Sequence, residues 1–405
     1  MVKRPLPQCV FAVSPEWRNL HWPGTLSGDK RIHDEALRKA AVLAIVSRWR
    51  RHHAHHKGDP KSTAVQLIPG EQMTSSGKAS TNSGKAKPAA TAQKPPAAKA
   101  HSTASEEIVS GVRISHPERI LFPERGTSKG DLARYCAAVA DRMLPFAAGH
   151  LLSLVRAPQG LKGPRFYQKH AGDGFPQEIR EIPVRESSGE TESYMYVQDA
   201  QGLIAAVQMG ALEFHIWGSR FDALETPDRL VFDLDPDEGL DFTTVKDAAT
   251  GLREALTEIG LKSMPMVTGG KGVHVIVPLI AQATWPEAKA FAKAFAQGFA
   301  EREPQKFIAT MSKEKRKGVI FIDWLRNERG ATAVAPYSTR ARPGGPVATP
   351  TSWDELADLK SANSFHIPDI LARIEGGCDP WRDLANVRQS LTREMLDRLG
   401  AKAAD

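Results

Sequence analysis

The stretch RLVFDLDPDEG, Arg229–Gly239, runs from an apolar segment of β type straight into two aspartates one residue apart. A strand alternates its side chains across the sheet, so Asp233 and Asp235 share one face while Leu234 points to the other. Neighbouring carboxylates at the end of a buried strand repel unless one is protonated or a cation meets them. A second apolar run, GVIFID, ends likewise in Asp323 and leads into Trp324-Leu325-Arg326. Three strand-end carboxylates are the oxygen set that a pair of Mg²⁺ or Mn²⁺ ions takes when phosphate and water supply the remaining ligands. A lone D-x-D more often caps a turn or a helix; its agreement with Asp323 moves the reading to phosphate chemistry.

Between those two runs lies VTGGKGVHVIV, Val267–Val277. Its glycines allow backbone N–H groups to come close to an anion, so it reads as a phosphate-handling turn. It is not a Walker A loop, because Lys271 is followed by Gly272 rather than Ser or Thr, and a strand rather than a helix comes next. His274, set among valines, has the pattern of a hydrogen-bonded core histidine, yet it directly follows the turn and can serve there as a donor to a triphosphate. Arg316 in SKEKRKG and Arg326 supply fixed positive charge near Asp323, suited to a polyphosphate; the bland reading of both is a solvated surface arginine.

From Glu106 onward strands and helices alternate, the punctuation of a folded α/β chain. EFHIW, RLVFDLD, GVHVIVPL and GVIFID read as strands. TSKGDLARYCAAVADRMLPF reads as a helix capped near Ser128, and FTTVKDAATGLREALTEIG as an amphipathic helix closed by Gly260. TWPEAKAFAKAFAQGFAERE opens with the box Thr284-x-x-Glu287 and carries Phe291, Phe295 and Phe299 on one core-facing stripe. The segment after Pro350 reads as peripheral helices.

The net charge of +7 belongs to the N-terminal part, since the first hundred residues hold a large excess of Lys and Arg and the remainder is net acidic. Three parts are expected: a basic region over 1–73, a disordered Lys/Ala/Pro/Ser linker over 74–105, too poor in large apolar groups to fold, and the globular part over 106–405. Residues 33–50 have the pattern of one amphipathic helix. His52, His53, His55 and His56 have no acidic or thiol partner nearby and point only to adventitious metal binding. Cys9, Cys136 and Cys378 are too scattered for a disulfide framework or a zinc site, and no apolar run nears the roughly 20 residues of a membrane helix. A reducing cytoplasm is the expected compartment.

The ordered set HPERILFPERGTSKGDLARYC, FYQKH, LEFHIWGSR, VFDLDPDEG, TGGKGVHVIVPL, FIDWLRN and APYSTRARPGGPVATP resembles the polymerase module of bacterial ligase D, a primase-superfamily enzyme of nonhomologous end joining. The resemblance covers Glu106 to the C-terminus and implies an α/β fold with a primase-type mixed central sheet flanked by helices, preceded by the disordered basic arm. It implies that Asp233, Asp235 and Asp323 hold two Mn²⁺ or Mg²⁺ ions and carry the catalysis. It assigns Thr268, Lys271, His274 and Arg326 to the incoming triphosphate, His215 to the neighbourhood of the nucleotide, and Phe166 or Tyr167 to stacking on its base. Arg119 and Lys129 correspond to positions gripping the 5′-phosphate of a DNA end, and Arg316 to an activating loop arginine. The chain departs from the family in having threonine at Thr268 where serine is usual, and arginine at Arg119 where lysine is usual.

The activity so implied is nucleotidyl transfer from an NTP or dNTP to a primer 3′-hydroxyl at gaps and break ends, templated and in part untemplated, with primer-independent initiation a variant. A Ku-type end-bridging protein and a nucleoid-associated setting are implied by the family alone. No Lys-x-Asp-Gly adenylation motif occurs and the phosphoesterase module of the family is absent, so nick sealing is expected from a separate DNA ligase, with this chain a split or truncated product of a fusion. Two other classes were weighed. A haloacid-dehalogenase-type phosphatase also uses a strand-end D-x-D, but DLDPDE departs from its pattern; a catalytically silent DNA-end-binding module leaves the three aspartates unexplained.

Overall fold

The computed structural model describes residues 105–172 and 174–402. The basic region 1–73 with its expected helix over 33–50, the histidines at 52–56, and the linker up to residue 104 lie outside the described residues.

The strands of the first half are β1 (Glu106–Val109), β2 (Val112–Ser115), β3 (Ile120–Phe122), β4 (Thr127–Ser128), β5 (His150–Arg156), β6 (Phe166–Gln168), β7 (Arg180–Arg185) and β8 (Thr191–Tyr196). Those of the second half are β9 (Ala211–Arg220), β10 (Arg229–Pro236), β11 (Met264–Val267), β12 (Val273–Pro278), β13 (Phe307–Ile308), β14 (Ile320–Asp323), β15 (Thr332–Val334) and β16 (Thr349–Pro350). The α-helices are α1 (Lys129–Ala147), α2 (Ala200–Gln208), α3 (Phe242–Glu258), α4 (Trp285–Arg302), α5 (Trp353–Asp358), α6 (Ile367–Glu375) and α7 (Arg393–Leu399).

The expected mixed sheet is six-stranded, in the order β13-β14-β10-β12-β11-β16, and only the β13–β14 pair in it is parallel. Its helix-covered face follows from strand alternation. Leu230, Phe232 and Leu234 of β10 and Val273, Val275 and Val277 of β12 pack against Leu252 and Leu256 of α3 and against Phe291 and Phe295 of α4. The opposite face of β10 is left to Val231, Asp233 and Asp235. Helix α4 begins with the capping box read from the sequence, Thr284 and Glu287 each satisfying a backbone N–H of the other, and α1 begins with the same device built from Ser128 and Asp131. Phe291 is fully buried. Phe291→Ala is therefore expected to lower the unfolding free energy by about 3–5 kcal/mol, read from chemical denaturation, because the cavity it leaves between α4 and the sheet cannot collapse.

A second six-stranded sheet, which the sequence reading did not separate from the first, is entirely antiparallel. It runs β15-β9-β5-β8-β7, with β6 paired to β5. Leu152 and Leu154 of β5 and Phe214 and Ile216 of β9 pack against Leu132, Val139 and Met143 of α1 and Leu203 and Val207 of α2. Alternation then turns Glu213 and His215 of β9 away from those helices. The sheets meet through Val231, Met266 and Ile276 of the first and Val334 of β15, joined by Ala348 and Trp381. This apolar seam ends where Asp233 and His274 begin, so the polar residues of both sheets collect in one cleft beyond it.

Candidate active site

Register places the acidic residues. Asp233 pairs across β10–β14 with Asp323 and across β10–β12 with His274, so the three side chains form one cross-strand row, and Asp235 stands two residues further on the same face. Donor side chains meet the carboxylates. His274 Nε2 lies 3.4 Å from Asp233, and Arg326 Nη2 lies 3.4 Å from Asp233 and 3.2 Å from Asp323. Asp235 faces Lys271 at 3.3 Å and Arg316 at 3.7 Å. Burial by itself raises the Asp233 carboxyl, but His274, Arg326 and Arg340 outweigh it and hold the group at about 2. Asp323 goes the other way: burial raises it, with the charge of Asp233 adding to the effect and Arg326 only partly offsetting it.

Among the described residues no three Asp, Glu, His or Cys side chains are drawn together into a preformed metal centre. The donor set nonetheless suits a hard divalent cation, since the row offers carboxylate oxygens from two adjacent strands and the space between Asp233 and Asp323 is bridged by the guanidinium of Arg326. Three buried polar atoms at this spot, His274 Nδ1, Arg316 Nε and Arg326 Nε, have no hydrogen-bond partner. Such atoms are free to bond a group that enters the cleft.

The turn Thr268–Gly272 closes the cleft on one side. Three of its backbone N–H groups are engaged: Thr268 donates to Gly272 O, Gly269 to Ala362 O and Gly270 to Thr268 Oγ1. The Thr268 hydroxyl donates to Gly272 O at 3.0 Å. Side chains add positive charge at the turn. Lys271 Nζ, held by Pro236 O at 2.6 Å, projects over Asp235. Gly269 has φ +67°, and a Cβ there would sit 2.8 Å from Arg340 Cγ, so this glycine lets the arginine stem pass.

The resulting cavity of about 380 Å³ is lined by Tyr167, His215, the Asp233–Asp235 pair, the turn with His274, Arg326, Arg340 and Arg342. Arg340 and Arg342 were within the quoted motif STRARPGG but not singled out. Their closeness to the turn arises only because the loop at 338–340 is stitched to β9, through Phe214 N–H to Ser338 Oγ and Thr339 Oγ1 to Leu212 O. His215 contacts Glu213 at 2.7 Å, and burial holds its imidazole below the usual histidine range, with Glu213 partly offsetting. Of the aromatic pair on β6, Tyr167 lines the cavity and lies 6.0 Å from the His215 ring. Phe166 points to the other face, where the Arg156 guanidinium lies over it at 5.2 Å.

Arg316 ends a short 3₁₀ turn, Lys313–Arg316, and lies 3.6 Å over the Phe321 ring while reaching Asp235. Arg119 and Lys129 are not in this cavity. They sit together where α1 begins: the Lys129 N–H donates to Arg119 O at 2.8 Å, Lys129 Nζ to Ser115 O at 3.0 Å, and Arg119 Nη1 to Pro158 O at 2.8 Å. Burial, with the charge of Arg119 adding to it, lowers the Lys129 ammonium to about 8. Two cations at the N-terminus of a 19-residue helix form an anion-attracting spot separate from the main cleft. Among the described residues no helix is long and apolar enough to cross a membrane.

Comparison with known proteins agrees with this geometry. Residues 128–381, more than half the chain, match the family model described as LigD, primase-polymerase domain. The multifunctional non-homologous end joining protein LigD of Pseudomonas aeruginosa is 39% identical over 306 residues, covering 75% of this chain and 36% of that protein. The bifunctional non-homologous end joining protein LigD of Bacillus subtilis is 29% identical over 303 residues, 74% of this chain and 48% of that protein. The chain thus spans between about a third and a half of the length of these relatives. The solved polymerase domain from Mycobacterium tuberculosis ligase D in complex with DNA superposes with a TM-score of 0.64 at 33% identity, covering 68% of this chain and 98% of that one. With the carboxylate row, the glycine turn and the arginine wall all falling inside the matched span, the chain belongs to the LigD primase-polymerase domain family.

Proposed function

We propose that the cleft adds nucleotides from an NTP or dNTP to the 3′-hydroxyl of a DNA primer at gaps and double-strand-break ends, in nonhomologous end joining. The observation that carries this reading is the cleft itself: Asp233 and Asp235 line one cavity of about 380 Å³ together with Lys271, Arg326, Arg340 and Arg342, which sets carboxylates for cations beside side chains for a polyphosphate. Asp233, Asp235 and Asp323 would hold two Mn²⁺ or Mg²⁺ ions, whose chemistry is to make the 3′-hydroxyl a better nucleophile and to neutralise the departing pyrophosphate. The chain's own groups do the rest. His274 and the arginines orient the polyphosphate, Tyr167 offers a ring beside the base, and the apolar seam of Val231, Ile276 and Val334 keeps water from the floor. Arg316, 3.7 Å from Asp235, can exchange that contact for the charge of a nucleotide.

Arg119 and Lys129 would bind the 5′-phosphate on the far side of a gap, as a relative solved in complex with DNA makes reasonable. A Ku-type bridging protein and a separate DNA ligase are the partners this reading calls for. The test is extension of a labelled primer on a gapped duplex, with and without the 5′-phosphate, with Mn²⁺ and either NTPs or dNTPs. Extension stimulated by the 5′-phosphate is the expected result; binding of the duplex with no nucleotide added under any metal would leave a DNA-end-binding module instead.

The Lys129 ammonium, at about 8, yields a pH prediction. Its charge is present below that value and lost above it, so affinity for the 5′-phosphorylated duplex should fall by about tenfold between pH 7 and pH 9. Lys129→Arg should flatten that profile in a fluorescence anisotropy titration, because a guanidinium keeps its charge throughout.

A further inference from the structure

Glu213 is buried to 5% exposure, and it is a carboxylate with every acceptor in use. Its Oε1 accepts from the Ala341 N–H at 2.7 Å. Its Oε2 meets Arg340 Nε at 2.9 Å and His215 Nε2 at 2.7 Å. Arg340 then donates from Nη1 to Thr268 O at 2.6 Å. One side chain of the second sheet thus ties together β9, the loop bearing Arg340, and the phosphate-side turn of the first sheet. Burial would raise the carboxyl, but His215 and Arg340 outweigh it and hold it at about 2, in keeping with a charge retained for the donors it grips.

Neither Arg340 nor His215 has another acidic partner among the described contacts of this cleft wall, so their direction depends on Glu213. We infer that Glu213 is a positioning residue for the triphosphate: its carboxylate aims the Arg340 guanidinium and the His215 ring so that both sheets present one fixed cationic wall. This rests on the nucleotide reading of the cleft. An arginine loose in its rotamers loses entropy when it meets a phosphate; one already clamped at Nε and Nη1 has been ordered in advance. Glu213 itself does not line the cavity, so its effect passes through the two residues that do.

Glu213→Gln keeps the size of the group and an oxygen for Ala341, while setting an NH₂ where Oε2 receives two N–H donors. Four readouts separate positioning from a merely structural role. Titration with a fluorescent nucleoside triphosphate and Mn²⁺ should give an affinity about tenfold or more weaker than wild type. In primer extension KM for the nucleotide should rise by more than kcat falls. Affinity for gapped duplex should stay within about twofold, since Arg119 and Lys129 lie elsewhere. The double variant Glu213→Gln, Arg340→Gln should lose clearly less triphosphate affinity than the sum of the two single losses, as expected when Glu213 acts in part through Arg340. Equal triphosphate affinity in Glu213→Gln, or additive losses in the double variant, would overturn the assignment. An independent measurement needs no nucleotide: the Arg340 Nε–H resonance, identified by its loss in Arg340→Lys, should be protected from exchange in wild type and unprotected in Glu213→Gln. Protection lost on substitution in a protein that binds no triphosphate would sink the nucleotide reading alone, whereas triphosphate binding by a wild type with an unprotected Arg340 would sink the positioning role alone.

Discussion

Asp233→Asn is expected to lower primer extension by about 10³-fold or more while affinity for gapped duplex stays within about threefold of wild type. Asp233 is the centre of the cross-strand row, opposed by His274 on one side and Asp323 on the other. It is held ionised down to about 2, so its negative charge is present throughout the working pH range. Asparagine fills the same space without that charge, so β10 keeps its packing through Leu230, Phe232 and Leu234 on the far face. What disappears is the anion that faces Arg326 and His274 and that would take the largest share of a divalent cation's charge. Loss of extension with full duplex binding separates chemistry from DNA recognition; a variant that still extends at a tenth of the wild-type rate would remove Asp233 from the centre of the reaction.

Gly272→Ala should produce the second large effect, by shape alone. A Cβ at Gly272 would stand 2.3 Å from the Leu234 carbonyl oxygen and 3.6 Å from Asp233 Oδ1. The oxygen belongs to the backbone of β10 and cannot swing aside, so the start of β12 must move away and take the turn and His274 with it. A displacement near 1 Å between a phosphate-binding wall and the reacting groups costs on the order of 10²-fold in rate, and the strain should cost about 1–3 kcal/mol of stability. Gly172→Ala is the matched control, because the nearest atom to a Cβ there is 3.7 Å away. Extension by Gly272→Ala equal to that of Gly172→Ala would mean that the turn is not fixed to β10 as its contacts imply.

The fold was legible where a signal is local. Alternation alone put Asp233 and Asp235 on one face of β10 with Leu234 on the other, because the period of a strand has no freedom once one face is buried. Capping pairs at Ser128–Asp131 and Thr284–Glu287 act over three residues, and the Phe291–Phe295–Phe299 stripe repeats every four. The row that joins Asp233 to Asp323 spans ninety residues of chain, yet both ends carried the same strand-end aspartate and could be paired by context. Glu213 and Arg340 carried no such mark. Their contact depends on how the second sheet is wound and on a loop sewn to β9, which no short pattern encodes. The choice between Phe166 and Tyr167 was likewise undecidable from FYQKH, since it follows from the pairing of Tyr167 with Val155 across β5 and β6. At the turn, glycine permits amides to face an anion, but which of them stay free to do so depends on tertiary contacts, since the Gly272 and Ala362 carbonyls and the Thr268 hydroxyl take the N–H groups of Thr268, Gly269 and Gly270.

The most direct measurement is the stoichiometry of Mn²⁺ bound in the presence of a non-hydrolysable nucleoside triphosphate, read by electron paramagnetic resonance of the free ion. The account predicts two ions per chain in wild type and loss of binding in Asp233→Asn. Triphosphate binding unchanged by chelation of the metal, with Mn²⁺ uptake the same in wild type and Asp233→Asn, would contradict it.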